Sequence, residues 1–318
     1  MSLSRRNLFQ NSIVLAAAGA LADLQLFARA AADQSGPALS FPTSPRDRLS
    51  VTSYPFRAYI DSPSNHSARH AEPRIDMTDF PALIGDRLGV HNINPLIDHF
   101  RSTDAAYFAR FRKAVTAAGS HVVDLGLPGR EFYSPDREVR ASAVADGRKW
   151  IDMAIAIDSP SVRQHIKGSQ GQKADVDLAA ESLGEMAEYA AKRKIVVNLE
   201  NDNPVAEDPF FIVSVIEKAA NPYLRALPDF GNSRIGHDAD YNKRAITAML
   251  THVFNMCHVK SVVETKNGVE VPVDLKTMFG LASAASYRGY FCMEFETNGA
   301  DPFVGTKNLI AETLKYLI

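Results

Sequence analysis

From residue 49 onward, short β-rich runs alternate with stretches of helical periodicity, and this alternation limits the fold more than any other feature of the sequence. The candidate strands are residues 50–56, 90–96, 121–127, 161–166, 195–201, 224–230, 254–259 and 290–296. The helical patterns include residues 105–118, 139–157, 177–193, 209–219, 239–251 and 303–317. Eight strands alternating with helices over about 270 residues predict an α/β fold, a closed (β/α)8 TIM barrel.

The alternative architecture is a doubly wound open sheet. Runs such as Ile195-Val196-Val197 are continuously apolar, which is typical of strands covered on both faces in either fold. No Gly-x-Gly-x-x-Gly motif follows any of the strands, so nothing favours a dinucleotide-binding sheet. We predict a single-domain barrel over residues 49–318, a flexible segment at 33–48 and a small hairpin at 262–272 after the seventh strand.

Residues 1–32 have the layout of an export signal. Arg5 and Arg6 precede an apolar run at residues 13–22, and small residues follow at 28 and 30–32. The arginine pair resembles the bacterial twin-arginine type, which predicts a periplasmic protein that uses the twin-arginine export machinery. The apolar run is too short to cross roughly 30 Å of hydrocarbon, so we expect no stable membrane span after cleavage.

Charge and cysteine content exclude two classes of protein. The net charge is −2, and because residues 1–32 contribute three arginines against one aspartate, the remainder carries −4. That remainder lacks the basic field on which nucleic-acid binding depends. The two cysteines, Cys257 and Cys292, are too few for a disulfide framework and are predicted to be free thiols. The sequence is compatible with a homo-oligomer but does not decide the oligomeric state.

Four successive predicted strands end in side chains that bind divalent metals, namely Glu200, Asp229, His258 and Glu294. In such barrels the chemistry lies at the carboxyl ends of the strands. Each residue has apolar neighbours, and a buried carboxylate is costly unless it is paired or metal-bound. We therefore predict one divalent metal ion. Hard oxygen ligands with one imidazole favour manganese first, then magnesium or cobalt, and leave zinc open.

The motifs around these residues resemble those of the xylose isomerase-like TIM-barrel superfamily of sugar (phosphate) isomerases and epimerases. They include Asp-Phe-Gly-Asn at 229–232 and His-Val-Lys at 258–260. In the ketose 3-epimerase branch, a Glu, an Asp, a His and a Glu at these strand ends bind the metal, and the two glutamates also exchange protons with the substrate. The resemblance implies those roles for Glu200, Asp229, His258 and Glu294 respectively.

Such a metal could bind a carbonyl and its neighbouring hydroxyl and polarise them, which acidifies the adjacent C–H bond. The charge of the resulting enediolate would lie beside the cation. Glu200 and Glu294 are the predicted acid and base, and Asp229 and His258 are predicted to be ligands only. The predicted function is that of a metal-dependent isomerase or epimerase acting on a sugar or sugar derivative.

Further polar residues are candidate substrate contacts. Lys260 shares the inward direction of His258, and its alternative role is a salt bridge to Glu296 or Asp202. The other candidates are His165, Arg163, Asn232 and Arg57. Asn232 stands where relatives commonly have a histidine, and Asp202 and Ser261 also depart from the family pattern, so the identity of the substrate stays open.

Three other functions fit parts of the pattern. Proton abstraction beside a ketone can end in β-elimination, which would make the protein a lyase or dehydratase acting on a keto-sugar or keto-glycoside. Endonuclease IV-like repair would need further histidines, where this chain has Asn94, Asp124 and Asn232. A non-catalytic metal-binding or sugar-binding barrel is the third alternative.

Overall fold

The computed structural model describes residues 36–168, 171–264, 267–296 and 300–317. The predicted export signal at residues 1–32 lies outside the described residues. The strands are β1 (Leu49–Thr52), β2 (Asn92–Asn94), β3 (His121–Val122), β4 (Leu125–Arg130), β5 (Ser161–Ile166), β6 (Val196–Glu200), β7 (Leu224–Leu227), β8 (Met256–Val259), β9 (Val262–Glu264), β10 (Glu270–Pro272) and β11 (Tyr290–Met293). The α-helices are α1 (Phe80–Leu88), α2 (Ala105–Ala117), α3 (Arg137–Ala156), α4 (Val176–Ala191), α5 (Pro209–Ala219), α6 (Ala239–Leu250), α7 (Leu275–Ala284) and α8 (Pro302–Thr313).

The parallel strands close into a barrel through short bridges at two seams. One sheet has the order β3-β2-β1-β11-β8 and another has the order β4-β5-β6-β7. A bridge between Leu96 and Gly126 joins the β2 side to β4, and a bridge between Asp229 and His258 joins the β7 side to β8. The third predicted strand is divided into β3 and β4. The predicted α/β TIM barrel is confirmed.

Aspartate side chains mark the points where the chain turns from the barrel mouth into a helix. Every described α-helix after α1 begins at an aspartate whose carboxylate accepts a hydrogen bond from a backbone N–H in the first turn. These caps are Asp104, Asp136, Asp175, Asp208, Asp238, Asp274 and Asp301. They fix where each helix starts and therefore where each loop at the mouth ends.

The barrel interior below the mouth is filled by a polar network rather than by apolar side chains alone. Asn198, one layer below the end of β6, donates to the Asp124 carboxylate and to the side-chain oxygen of Asn255, both at 3.0 Å. Asn255 in turn donates to the Ser161 hydroxyl at 2.8 Å. All four residues are fully buried, and burial raises the pKa of Asp124. The network fills this layer of the barrel interior beneath the mouth.

Residues 41–48 contact the opposite, amino-terminal end of the barrel. The Phe41 ring packs edge-on against the rings of Phe254 and Tyr290, with centroids 5.6 and 5.9 Å apart. The Arg48 guanidinium lies 5.0 Å from the ring centroid of Phe291. Through these contacts, part of the segment at residues 33–48, which the sequence predicts to be flexible, packs against the barrel.

The hairpin predicted at residues 262–272 is present as the antiparallel pair β9–β10, with Val263 opposite Val271. It follows β8 directly and so lies at the barrel mouth, where loops shape a binding site. Cys257 and Cys292 are free and buried, as predicted. Among the described residues, no helix has the length and apolar character needed to cross a bilayer.

His99 gives the barrel a predictable response to acid. Its buried ring lies 2.7 Å from the Ser53 hydroxyl, and burial, together with the nearby Arg57, lowers its pKa to about 3. In an unfolded chain the same imidazole takes up a proton near pH 6.5, so stability falls as the pH drops from there toward 3. Between pH 7 and 5.5, we expect urea denaturation to show a loss about 1 kcal/mol larger for the wild type than for His99→Asn. Equal losses would contradict this assignment.

Candidate metal centre

Side chains from four neighbouring strand ends converge at the barrel mouth. Ligand atoms of Glu200, Asp229, His258 and Glu294 all lie within 4.8 Å of one another, and all four residues are buried. We call them the strand-end cluster. Nδ1 of His258 is 2.6 Å from Oε1 of Glu200 and 3.1 Å from Oε2 of Glu294. Strand pairing brings them together, because Asp229 bridges to His258 and the Glu294 N–H donates to the carbonyl oxygen of Val259 at 3.0 Å.

The inward atoms of the strand-end cluster fit a cation. Oε1 of Glu200, Oδ2 of Asp229 and Nδ1 of His258 are buried, and although they lie close to one another and to Lys260, none of them makes a well-oriented hydrogen bond. Oδ1 of Asp229 accepts from the backbone N–H groups of Gly231 and Asn232 at 2.8 and 2.7 Å, which leaves Oδ2 facing the cluster. An unsatisfied buried polar atom costs about 1–3 kcal/mol. The set of carboxylate oxygens and one imidazole nitrogen is one that hard divalent cations accept.

The charge of the site also suits one divalent ion. Nη1 of Arg163 is 2.6 Å from Oε2 of Glu200, and Nζ of Lys260 is 2.6 Å from Glu296 and 3.3 Å from Glu294. The four carboxylates of the site therefore face two fixed cations, Arg163 and Lys260. The carboxylates are those of Glu200, Asp229, Glu294 and Glu296. Two negative charges are left over when the imidazole is neutral, and a single divalent cation balances them.

The surroundings shift the pKa values of Glu200 and Asp229 in opposite directions. Burial opposes ionisation of Glu200, but His258 and Arg163 outweigh it and lower its pKa to about 2. Burial raises the pKa of Asp229 to about 7, because the neighbouring Glu200 and Glu294 add to the effect and Lys260 only partly offsets it. Metal ligands must be deprotonated, so a cation that binds here is expected to displace a proton from the cluster near neutral pH.

A second group of ligand-type residues lies beside the cluster and consists of His165, Asp202 and Glu207. Oε1 of Glu207 lies 2.6 Å from Nδ1 of His165 and accepts from the Ile166 N–H at 2.8 Å. Its Oε2 accepts from the Asn203 N–H at 3.1 Å. Because both oxygens already have partners, this group fits a cation less well. Its evident role is to orient His165.

Four of the five predicted substrate contacts line a cavity of about 390 Å³ over the cluster. They are Arg163, His165, Asn232 and Lys260. Arg57 lines a neighbouring surface cavity instead, with its guanidinium 4.1 Å from the centroid of the Tyr54 ring. The chain leaves β1 through a 3-10 turn at Tyr54–Phe56, after which Arg57 lies behind Tyr54 in the neighbouring cavity and not in the one over the cluster. The structure therefore does not bring Arg57 to the site.

Lys260 both forms a salt bridge and lines the cavity, so its two predicted roles are compatible. The ion pair with Glu296 is present, and Asp202 is not among the ion-pair partners found for Lys260. Nζ also donates to Oδ1 of Asn232 at 2.8 Å and lies 3.5 Å from Oδ2 of Asp229. The ammonium group is buried between the cluster and the cavity, where it can meet a substrate oxygen.

Several residues of the site were not singled out from sequence. Tyr54 lines the cavity, and burial together with Glu296 raises its pKa. Asn201 holds Asp229 in place: its side chain accepts from the Asp229 N–H at 2.7 Å and donates to the Asp229 carbonyl oxygen at 3.1 Å. The Glu-Asn pair at 200–201 was the available signal for Asn201, whereas nothing local marks Tyr54.

Two glycines make room for this arrangement. A Cβ on Gly126 would lie 2.6 Å from Nη2 of Arg163, whose guanidinium is buried and paired with Glu200. A Cβ on Gly231 would lie 2.6 Å from Cγ1 of Val263 and 3.1 Å from Cβ of Lys260. The glycine of the Asp-Phe-Gly-Asn string is therefore required by the close approach of the chain after β8.

The protein is thus a closed parallel barrel that carries a candidate metal centre, made of three carboxylates and one imidazole, at its carboxyl-terminal mouth. Residues 87–318 match the family model described as the xylose isomerase-like TIM barrel. The chain belongs to this family. No curated protein matches it significantly in sequence.

Solved structures share the fold at low sequence identity. A D-psicose 3-epimerase determined in the presence of D-fructose has a TM-score of 0.65 and 15% identity, with 85% of this chain and 99% of that one covered. A 3-keto-D-glucoside 4-epimerase from E. coli has a TM-score of 0.61 and 13% identity, with coverage of 84% and 99%. A xylose isomerase-like TIM-barrel protein from Mycobacterium smegmatis in complex with magnesium has a TM-score of 0.64 and 18% identity, with coverage of 90% and 97%. Identities this low show the fold alone, so function is argued from the site.

Proposed function

We propose that the protein is a divalent-metal-dependent isomerase or epimerase that moves a proton on a sugar or sugar derivative. The observation that carries this proposal is the position of Glu200 and Glu294, which flank Nδ1 of His258 at 2.6 and 3.1 Å. Both line the cavity over the cluster. Several proteins with similar structures are sugar epimerases, which supports the same class of reaction.

Two carboxylates bordering one cavity can serve as a base and an acid on a sugar bound between them. Arg163 holds Glu200 ionised, and Lys260 and His258 hold the pKa of Glu294 well below its usual range against the effect of burial. One glutamate takes the proton from the carbon beside the carbonyl and can return that same proton to the adjacent carbon. Inversion at the original carbon requires the other glutamate to have taken up a proton from solvent, which it delivers to the opposite face while the first glutamate releases its proton to solvent. Asp229 and His258 serve as ligands only.

The strand-end cluster would hold the metal ion, with Oδ2 of Asp229 and Nδ1 of His258 among its ligand atoms. A bound divalent cation supplies Lewis acidity toward a carbonyl and its neighbouring hydroxyl. Lys260 and Arg163 add fixed positive charge, which stabilises negative charge that develops on the substrate oxygens. His165, oriented by Glu207, and Asn232 supply further hydrogen-bonding groups at the cavity wall.

Incubation of the metal-loaded protein with a panel of ketoses and oxidised glycosides in deuterated water tests this function. We expect deuterium to enter a carbon beside the carbonyl of at least one compound, with the mass otherwise conserved. Loss of water or of an aglycone would identify a lyase instead. No uptake into any member of the panel by protein with a bound divalent ion would contradict proton transfer.

We further propose that the protein is exported to the bacterial periplasm as a folded molecule. The support is the pair Arg5-Arg6 ahead of a short apolar run. Replacing both arginines by lysine is expected to keep the protein in the cytoplasm, as measured by cell fractionation. An equal periplasmic yield of the double variant would contradict the twin-arginine route.

A further inference from the structure

A second, larger cavity opens beside the cavity over the strand-end cluster. Its volume is about 1060 Å³, against about 390 Å³ for the inner cavity. The two share Asp202, Asn232 and Ile235 as wall residues, so they adjoin at the mouth. Small-molecule sites usually measure roughly 300–1,000 Å³. The inner cavity is therefore large enough for one sugar ring, and the outer cleft has room for a further group on the same molecule.

The outer cleft is formed mainly by segments outside the eight-stranded barrel. Its walls come from residues 202–209 after β6, from residues 232–241 after β7, and from the β9–β10 hairpin. The side chain of Val269, next to β10, is 58% exposed and lines the cleft. Loops at the carboxyl-terminal face of a TIM barrel decide which substrate is bound, so extra walls here bear on specificity.

An aromatic pair forms one side of the outer cleft. The rings of His237 and Tyr241 are stacked, with centroids 3.9 Å apart and planes inclined by 16°. The Tyr241 hydroxyl donates to Oδ2 of Asp208 at 2.7 Å, and the edge of Phe210 packs against the Tyr241 ring with centroids 5.7 Å apart. These contacts hold the pair in place. Preformed flat apolar surfaces of this kind pack well against another ring.

The charge of the outer cleft indicates whether a ring bound there is charged or neutral. Four acidic side chains line it, namely Asp202, Glu207, Asp208 and Glu264. Of the described residues that line it, none is lysine or arginine. Glu207 and Asp208 already accept hydrogen bonds from the protein, but the negative charge along this wall repels phosphate and carboxylate groups. The cleft therefore suits an uncharged group.

We propose that the outer cleft is a subsite for the second, uncharged ring of a glycoside whose first sugar occupies the inner cavity. The inference rests on the proposed function for the role of the inner cavity. It adds that the substrate is a molecule of two rings without phosphate or carboxylate.

NMR titration of the metal-loaded protein with probes whose binding can be measured without turnover tests the subsite separately from the chemistry. The probes are D-glucose, phenyl β-D-glucoside and D-glucose 6-phosphate, none of which needs to turn over. We expect the glucoside to bind about tenfold more tightly than D-glucose, a ratio equivalent to about 1.4 kcal/mol. We expect D-glucose 6-phosphate to bind more weakly than D-glucose.

Variants of the aromatic pair then localise the effect. His237→Ala and Tyr241→Ala are each expected to remove most of the preference for the glucoside while leaving the Kd of D-glucose unchanged. Tyr241→Phe keeps the ring and should retain the preference. Tyr189→Ala, on the exposed side of α4, should behave as wild type because Tyr189 lies outside both cavities.

The outcomes separate the subsite from the proposed function. Equal affinities for the two uncharged probes, including failure of both to bind, would overturn the subsite, as would a tighter complex with the phosphate. Equal weakening of both probes by the alanine variants would also overturn it. A clear glucoside preference without any deuterium uptake from the panel would leave the subsite standing and remove the isomerase function.

Discussion

Glu294→Gln is expected to reduce the rate of substrate proton exchange by about 10²- to 10⁴-fold, the usual contribution of a general acid or base. Glutamine has the shape of glutamate but cannot take up or return the proton. Lys260 keeps its ion pair with Glu296 at 2.6 Å, so the change leaves no buried cation without a partner. The rate is measured as deuterium uptake into a substrate found with the panel.

The matched control is Glu185→Gln, a glutamate on the exposed face of α4 that lies 3.3 Å from Arg148. It removes one negative charge far from the cavity and should keep the wild-type rate. Metal content is measured in parallel for both variants. If Glu294→Gln binds one cation per chain and still exchanges at the wild-type rate, its role in proton transfer is wrong.

Removal of the cation with a chelator is expected to abolish proton exchange and to lower the free energy of unfolding. At a cation concentration 100-fold above Kd, bound metal contributes about 2.7 kcal/mol. For a chain of 318 residues that loss corresponds to a fall in Tm of roughly 4–5 °C. The physical reason is that a cation held only by the folded chain adds its binding free energy to folding, and that without it protons must take its place among the buried carboxylates. Calorimetry with and without the chelator gives the measurement.

Two aspartate variants show whether the stabilisation comes from the strand-end cluster. Asp229→Asn keeps an acceptor for the Gly231 N–H but replaces the inward oxygen, and its Tm should no longer respond to added cation. Asp152→Asn, at an exposed position paired with Arg193, should respond as the wild type does. An unchanged wild-type Tm after chelation would contradict a resident cation.

The barrel could be predicted because each strand is short, apolar and separated from the next by a helical pattern. Strand ends were less predictable. The first run was extended to residue 56, but Tyr54-Pro55-Phe56 turns into a 3-10 helix after Thr52. That single difference is why Arg57 was expected at the mouth and Tyr54 was not.

Members of the strand-end cluster were predictable because a carboxylate or imidazole at the end of an apolar strand is visible in the sequence. The ion pairs and hydrogen bonds around the cluster were not predictable, because the two partners of each contact are distant in sequence. Glu207 lies 42 positions from His165, and Arg163 lies 37 positions from Glu200. The outer cleft is a further case, since it arises only when two loops and a hairpin meet.

The most direct test of the central claim is anomalous diffraction from crystals grown with Mn²⁺. We predict one strong peak at the barrel mouth, bonded to Asp229, His258 Nδ1 and the two glutamates of the cluster at roughly 2.1 Å. No peak at the mouth, or a peak bonded to His165 and Glu207 instead, would contradict a metal centre formed by the strand-end cluster.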